Sequence, residues 1–138
     1  MAGADLPAFD VAAIRHDPVA PQQKNLVRLG VEHVLLEGAH QFALLATAYG
    51  GGQTAARRLR AANILSCGIG LPAATVEGDL NGLRFGSNEI VRWGMTPSDM
   101  PELAGLIARA LAGNEAPETV AADVTAFRRR FDRVHFVR

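Results

Sequence analysis

The run Gln41-Phe42-Ala43-Leu44-Leu45-Ala46-Thr47, followed shortly by Gly50-Gly51-Gly52, decides how this chain folds. An almost unbroken apolar stretch ended by glycines reads as a strand covered by other structure. Beyond the glycines the period changes. Ala55, Leu59 and Ala62 recur on one helical face over residues 53–63, with Arg57, Arg58 and Arg60 mostly off it. Upstream, residues 31–36 are rich in β-branched and aliphatic side chains and predict another strand, broken at Gly38-Ala39-His40. Downstream, residues 64–80 are glycine-rich and irregular, and residues 83–86 form a short strand. A strong helix start follows, with Thr96 as N-cap, Pro97 at the first helical position and Asp99 in the first turn. Leu103, Leu106, Ile107, Ala110 and Leu111 continue it to Gly113-Asn114. A last helix opens near Pro117, its buried stripe being Val120, Val124, Phe127 and Phe131. The mixed order lacks the repeated β-helix-β units of a doubly wound sheet. It predicts an α+β fold, a small sheet with helices packed on one face.

Residues 1–29 read as an N-terminal extension. Leu6, Phe9, Ala13 and Ile14 suit one short helix stopped by Pro18 and Pro21, and residues 22–29 suit another closed by Gly30. The formal net charge is +0, which favours neither nucleic acid nor an anionic membrane. No apolar run approaches a membrane span, and the first residues lack the pattern of a signal peptide. Cys67 is the single cysteine, so no disulfide forms within the chain and a cytoplasmic setting is expected. Lys24 is the single lysine.

Four features bear on chemistry. The glycine run before a helix resembles a phosphate cradle, but no Gly-Lys-Ser/Thr follows. A strand-to-helix turn is the preferred reading. The spacing of Glu32, His33, Glu37 and His40 matches no ligand motif, so no metal is expected. His40, at the strand break, reads first as a solvated residue and second as one facing a ligand. Gly82-Leu83-Arg84-Phe85-Gly86 places an arginine in an apolar strand between glycines. Such an arginine is either a structural ion-pair partner or a planar fork for a carboxylate. Arg128, Arg129, Arg130 and Arg133 spread around a helix and read as a solvated or partner-facing surface rather than a nucleic-acid site.

Ala62-Asn63-Ile64, then Gly82-Leu83-Arg84-Phe85-Gly86, Arg92-Trp93-Gly94-Met95 and Ser98-Asp99-Met100 occur in an order that resembles the C-terminal domain of serine hydroxymethyltransferases, fold type I pyridoxal-phosphate enzymes. The closing residues, 127–136, are similar too, and the likeness spans residues 30–138. The resemblance implies that Arg84 binds the substrate α-carboxylate, with His40, Gln41, Ser66 and Gly86 as possible lining of the same site. Gln41 falls at a family histidine position, and no catalytic role is carried onto it.

The family is far longer and places its cofactor domain first. There lie the lysine that forms the Schiff base and most contacts to pyridoxal phosphate. Lys24 stands in Gln22-Gln23-Lys24-Asn25, outside the matched region and without the family's context. No catalytic residue is therefore expected in this chain. The resemblance implies a large cofactor-binding partner subunit, a hetero-oligomer and an amino-acid substrate. The family's Thr-Pro-Ala after the arginine element is Ser87-Asn88-Glu89 here, and the loop after Asn63 lacks the family's polar residues. Residues 1–29 do not match the family's connecting helix, which favours a naturally split enzyme over a fragment. A non-catalytic regulatory or binding subunit derived from the same domain is the alternative, and Arg84 and Gly86 favour the catalytic one.

Overall fold

The computed structural model describes residues 34–38 and 41–135; the expected extension at 1–29, His33 and His40 lie outside the described residues. The chain runs β1 (Val34–Gly38), β2 (Gln41–Leu45), a 3-10 turn (Thr47–Tyr49), α1 (Gly52–Ala61), β3 (Cys67–Ile69), β4 (Gly82–Gly86), α2 (Asn88–Arg92), a 3-10 turn (Pro97–Asp99), α3 (Met100–Ala112) and α4 (Pro117–Arg128). The strands form one antiparallel sheet in the order β1-β2-β4-β3. This is the expected α+β class.

The sheet has two unlike faces because β2 and β4 alternate in step. Phe42 pairs with Phe85 and Leu44 with Leu83, and directly opposed residues share a face. Leu44, Leu83 and Phe85 are buried among the helices, and the Phe42 and Phe85 rings stack at 5.3 Å. Ala55, Ala56 and Leu59 of α1 cover this face with Leu106, Ile107 and Leu111 of α3 and Val120, Val124 and Phe127 of α4. A helix can approach a sheet so closely only where side chains are missing. A Cβ on Gly52 would stand 1.9 Å from the Gly82 carbonyl oxygen, and one on Gly68 would stand 2.9 Å from the Gln53 nitrogen.

Strand boundaries differ from the sequence expectation. β1 (Val34–Gly38) runs to 38 rather than 36, the expected start at 31 lying outside the described residues, and β2 stops at Leu45 rather than 47. The Ala46 N–H bonds the Asn81 carbonyl, and the chain turns at Thr47–Tyr49. The stretch at 64–80 is not wholly irregular, since it contains the edge strand β3. The short helix α2 was not expected. The expected capping at Thr96 is present, but it opens the 3-10 turn Pro97–Asp99 that leads into α3 at Met100: the Thr96 N–H donates to Asp99 Oδ2 at 2.8 Å. Gly113 ends α3 in the left-handed region.

Helix α1 is ended by Asn63 at φ 61. The Asn63 N–H bonds the Arg60 carbonyl and the Ile64 N–H bonds the Leu59 carbonyl. This is the paired Schellman arrangement, with asparagine where glycine is more usual. The arginine cluster is exposed, as expected: Arg128, Arg129, Arg130 and Arg133 all face outward. Two of them also have partners, since the Arg128 guanidinium lies over the Trp93 ring at 4.4 Å and Arg130 pairs with Glu102 at 2.6 Å.

The start of α1 is capped from a distance. The Asp79 carboxylate accepts the Gln53 and Thr54 N–H groups at 2.8 and 2.9 Å and the Thr54 hydroxyl at 2.8 Å. Gly51, at φ +113, leaves room for it, since a Cβ there would lie 2.5 Å from the carboxylate. These bonds, the Gln53 N–H first, lower the Asp79 pKa to about 2. A carboxyl with a depressed folded pKa stabilises the fold above its unfolded value, near about 4, and that stabilisation fades as pH falls toward the folded value. Asp79→Asn is accordingly expected to melt below wild type at pH 7, with the gap closing in acid. Thermal melts from pH 7 down to pH 2 measure this, and a gap independent of pH would count against the carboxylate as cap.

Candidate substrate-binding site

The second sheet face is built from the alternate residues of the same strands. Ala43, Arg84 and Cys67 lie side by side across β2, β4 and β3, and Gln41 pairs with Gly86 one step along. Gln41, Arg84 and Gly86 are exposed, Cys67 is half-buried and Ala43 is buried. At the opposite end the loop after β3 folds back so that Leu71 covers Gly82. Asn81, a buried polar residue, holds that loop. Its Oδ1 accepts the Leu71 N–H at 2.7 Å, and its Nδ2 donates to the Leu71, Ala73 and Ala74 carbonyls.

Arg84 projects from the middle of this face. Its guanidinium makes no ion pair or hydrogen bond with the described residues, and none of the described residues that share the face is acidic. By contrast Arg109 binds Glu115 and Asp123 and has its pKa raised by them, Glu115 first. A guanidinium on a central strand, without a counter-charge among the described residues, offers a planar pair of donors to an anion, above all a carboxylate. Its backbone is secured on the edge side as well: the Ser66 hydroxyl donates to the Arg84 carbonyl at 2.7 Å. The structure thus brings Gln41, Ser66, Arg84 and Gly86 to one region of the sheet.

The other motifs that suggested the resemblance hold the fold together. Ala62-Asn63-Ile64 stops α1, and Ser98-Asp99-Met100 starts α3. Arg92-Trp93-Gly94-Met95 is a turn against which the final described residues pack. There the His135 N–H bonds the Arg92 carbonyl and its ring lies against Gly94. The glycine run before α1 is a strand-to-helix turn, and the N–H groups that a phosphate would use are engaged by Asp79. Asp79 and Asn81 drew no attention in the sequence. The signal available was two polar residues flanking Leu80 immediately before an apolar strand.

Fold and site together describe a small α+β domain with one sheet face covered by helices and the other presenting an arginine. No family model matches the chain. It is 55% identical over 100 residues to an alpha-methylserine aldolase of Ralstonia sp, covering 72% of this chain and 23% of that protein. To an alpha-methylserine aldolase of Variovorax paradoxus it is 58% identical over 99 residues, 72% of this chain and 22% of that protein. To a serine hydroxymethyltransferase of Methanopyrus kandleri it is 36% identical over 112 residues, 80% of this chain and 26% of that protein. The chain carries a C-terminal domain of the serine hydroxymethyltransferase family. It spans about a quarter of the length of these curated relatives.

Proposed function

We propose that this chain is the small subunit of a pyridoxal-phosphate-dependent, serine hydroxymethyltransferase-like enzyme acting at the Cα–Cβ bond of a β-hydroxy amino acid. In this reading residues 30–138 form the domain and residues 1–29 an extension. A partner chain carries the cofactor lysine, and the hetero-oligomer works in the cytoplasm. The observation that carries the proposal is Arg84, exposed and without a counter-charge among the described residues, in the arginine element of a domain related to alpha-methylserine aldolases.

The described residues include no lysine, so they offer no covalent hold for the cofactor; what they offer is on the substrate side. Pyridoxal phosphate, when bound, supplies the electron sink for a carbanion at Cα. Arg84 grips the α-carboxylate through parallel N–H donors, which fixes the orientation of the amino acid and of its scissile bond. Ala43 and Gly86 keep the surroundings of the guanidinium low, leaving room for the carboxylate.

Purified alone, the chain is expected to form no stable cofactor adduct on borohydride reduction and to cleave no β-hydroxy amino acid. Mass spectrometry and an aldehyde assay measure both. An adduct on Lys24 accompanied by activity would remove the need for a partner. The partner itself is expected to co-purify with this chain and to carry bound cofactor.

The reaction is proposed to release or take up a free aldehyde without tetrahydrofolate. A pterin ring needs paired donors and acceptors, and a site that leaves them unpaired is penalised by their desolvation. Over residues 64–71 the only side-chain polar groups belong to Ser66 and Cys67, and the Ser66 hydroxyl is taken by Arg84. The two alpha-methylserine aldolases compared above are 55% and 58% identical to this chain, against 36% for the serine hydroxymethyltransferase. Cleavage of α-methylserine by the assembled enzyme is expected to proceed at the same rate with and without tetrahydrofolate. A strict folate requirement would overturn this part of the proposal.

A further inference from the structure

We infer that Ser66 is a positioning residue for Arg84, an inference that rests on the proposed carboxylate-binding role of that arginine. β3 is a three-residue strand at the edge of the described sheet, paired with β4, and its ladder begins at Cys67 opposite Arg84. Short edge strands fray from their ends, since terminal residues are held on one side alone. Ser66 lies one residue outside the ladder, next to Leu65, the most exposed large apolar side chain among the described residues. Its hydroxyl reaches back to the Arg84 carbonyl at 2.7 Å. This bond extends the grip of the edge strand to the residue that presents the guanidinium. Ala43 of β2 flanks Arg84 on the other side, so its backbone is held between two neighbours. A fixed backbone under a long side chain removes part of the ordering cost that carboxylate binding would otherwise incur.

Ser66 makes no contact with substrate in this role. Its effect passes through Arg84 alone, and that distinguishes it from general support of the fold. Ser66→Ala removes one half-buried oxygen and leaves the apolar core untouched. In the full-length chain, amide exchange in the β3–β4 ladder is expected to speed up by about 3- to 10-fold, the weight of one hydrogen bond, while α3 and α4 keep their rates. Ser66→Thr, which keeps a hydroxyl, is expected to restore the slow exchange.

In the assembled enzyme Ser66→Ala is expected to raise KM for α-methylserine by about 3- to 10-fold with kcat nearly unchanged. The same substitution in an Arg84→Ala background is expected to add nothing. An unchanged KM, or an equal rise in both backgrounds, would overturn the inference. If Arg84→Ala itself binds substrate like wild type, the carboxylate reading of Arg84 fails. The exchange experiment on the chain alone still reports whether Ser66 holds the strand, so the two failures are distinguishable.

Discussion

Arg84→Ala in the assembled enzyme is expected to weaken binding of the amino-acid substrate by about 2–5 kcal/mol, the cost of leaving a carboxylate unpaired in a closed site. That is roughly a 30-fold loss at the lower bound. Assembly and thermal stability should survive, because the side chain is exposed and no described residue relies on its charge. Arg84→Lys should recover little of the affinity. An ammonium gives one point charge where the guanidinium gives two parallel donors in a plane. Equilibrium titration with serine or α-methylserine measures the loss. A wild-type dissociation constant in the alanine variant would leave Arg84 without a role in binding.

One residue away the expectation reverses. Leu83 is 0% exposed and points into the helices, packed in the cluster that contains Leu44, Leu59 and Leu111. Leu83→Ala removes apolar atoms from a close-packed interior and leaves a cavity that its neighbours only partly fill, which costs about 2–5 kcal/mol. For a domain of this size that amounts to a fall of about 10 °C or more in Tm. Chemical denaturation should show a lower midpoint with an unchanged slope. At temperatures where the variant is folded, substrate affinity should stay close to wild type, since Arg84 belongs to the opposite face. A fall in affinity without a fall in stability would contradict this division of labour along one strand.

Features that depend on neighbours in sequence were the readable ones. Thr96, Pro97 and Asp99 act within one turn of each other, and Gly113 acts on the helix immediately before it. The apolar stripe of α4 was legible for the same reason, although the helix ends at Arg128 and Phe131 packs against Phe127 from beyond it. β3 was not legible, because Cys67-Gly68-Ile69 has no strand pattern of its own. It is a strand because β4 offers a free edge and because Gly68 admits the start of α1. α2 was missed because five residues carry too little periodicity. It is followed by Trp93, whose indole N–H returns to Glu89.

At the site, Arg84 stood out because a charged residue in an apolar strand is uncommon. Gln41 and Gly86 were singled out beside it, and the register makes them cross-strand neighbours. Ser66 was singled out as lining, and its hydroxyl bonds the backbone carbonyl of Arg84. That contact spans 18 residues and leaves no trace in local spacing. His40 lies outside the described residues.

The capping of α1 by Asp79 also has a consequence for the order of events during synthesis. The helix has ten residues, no acidic side chain in its first turn and a glycine as its own cap. An isolated helix of that length is marginal in water. The residue that completes it is translated 25 positions after Thr54, a delay of about 1–5 s at ordinary elongation speeds. Helix–coil relaxation takes about a microsecond or less, so the nascent segment winds and unwinds many times before its partner is made. Translation of Asp79 is followed at once by that of Gly82, on which α1 rests, and of Arg84. The helix start and the strand that presents the arginine therefore gain their partners together, before α3 and α4 are made.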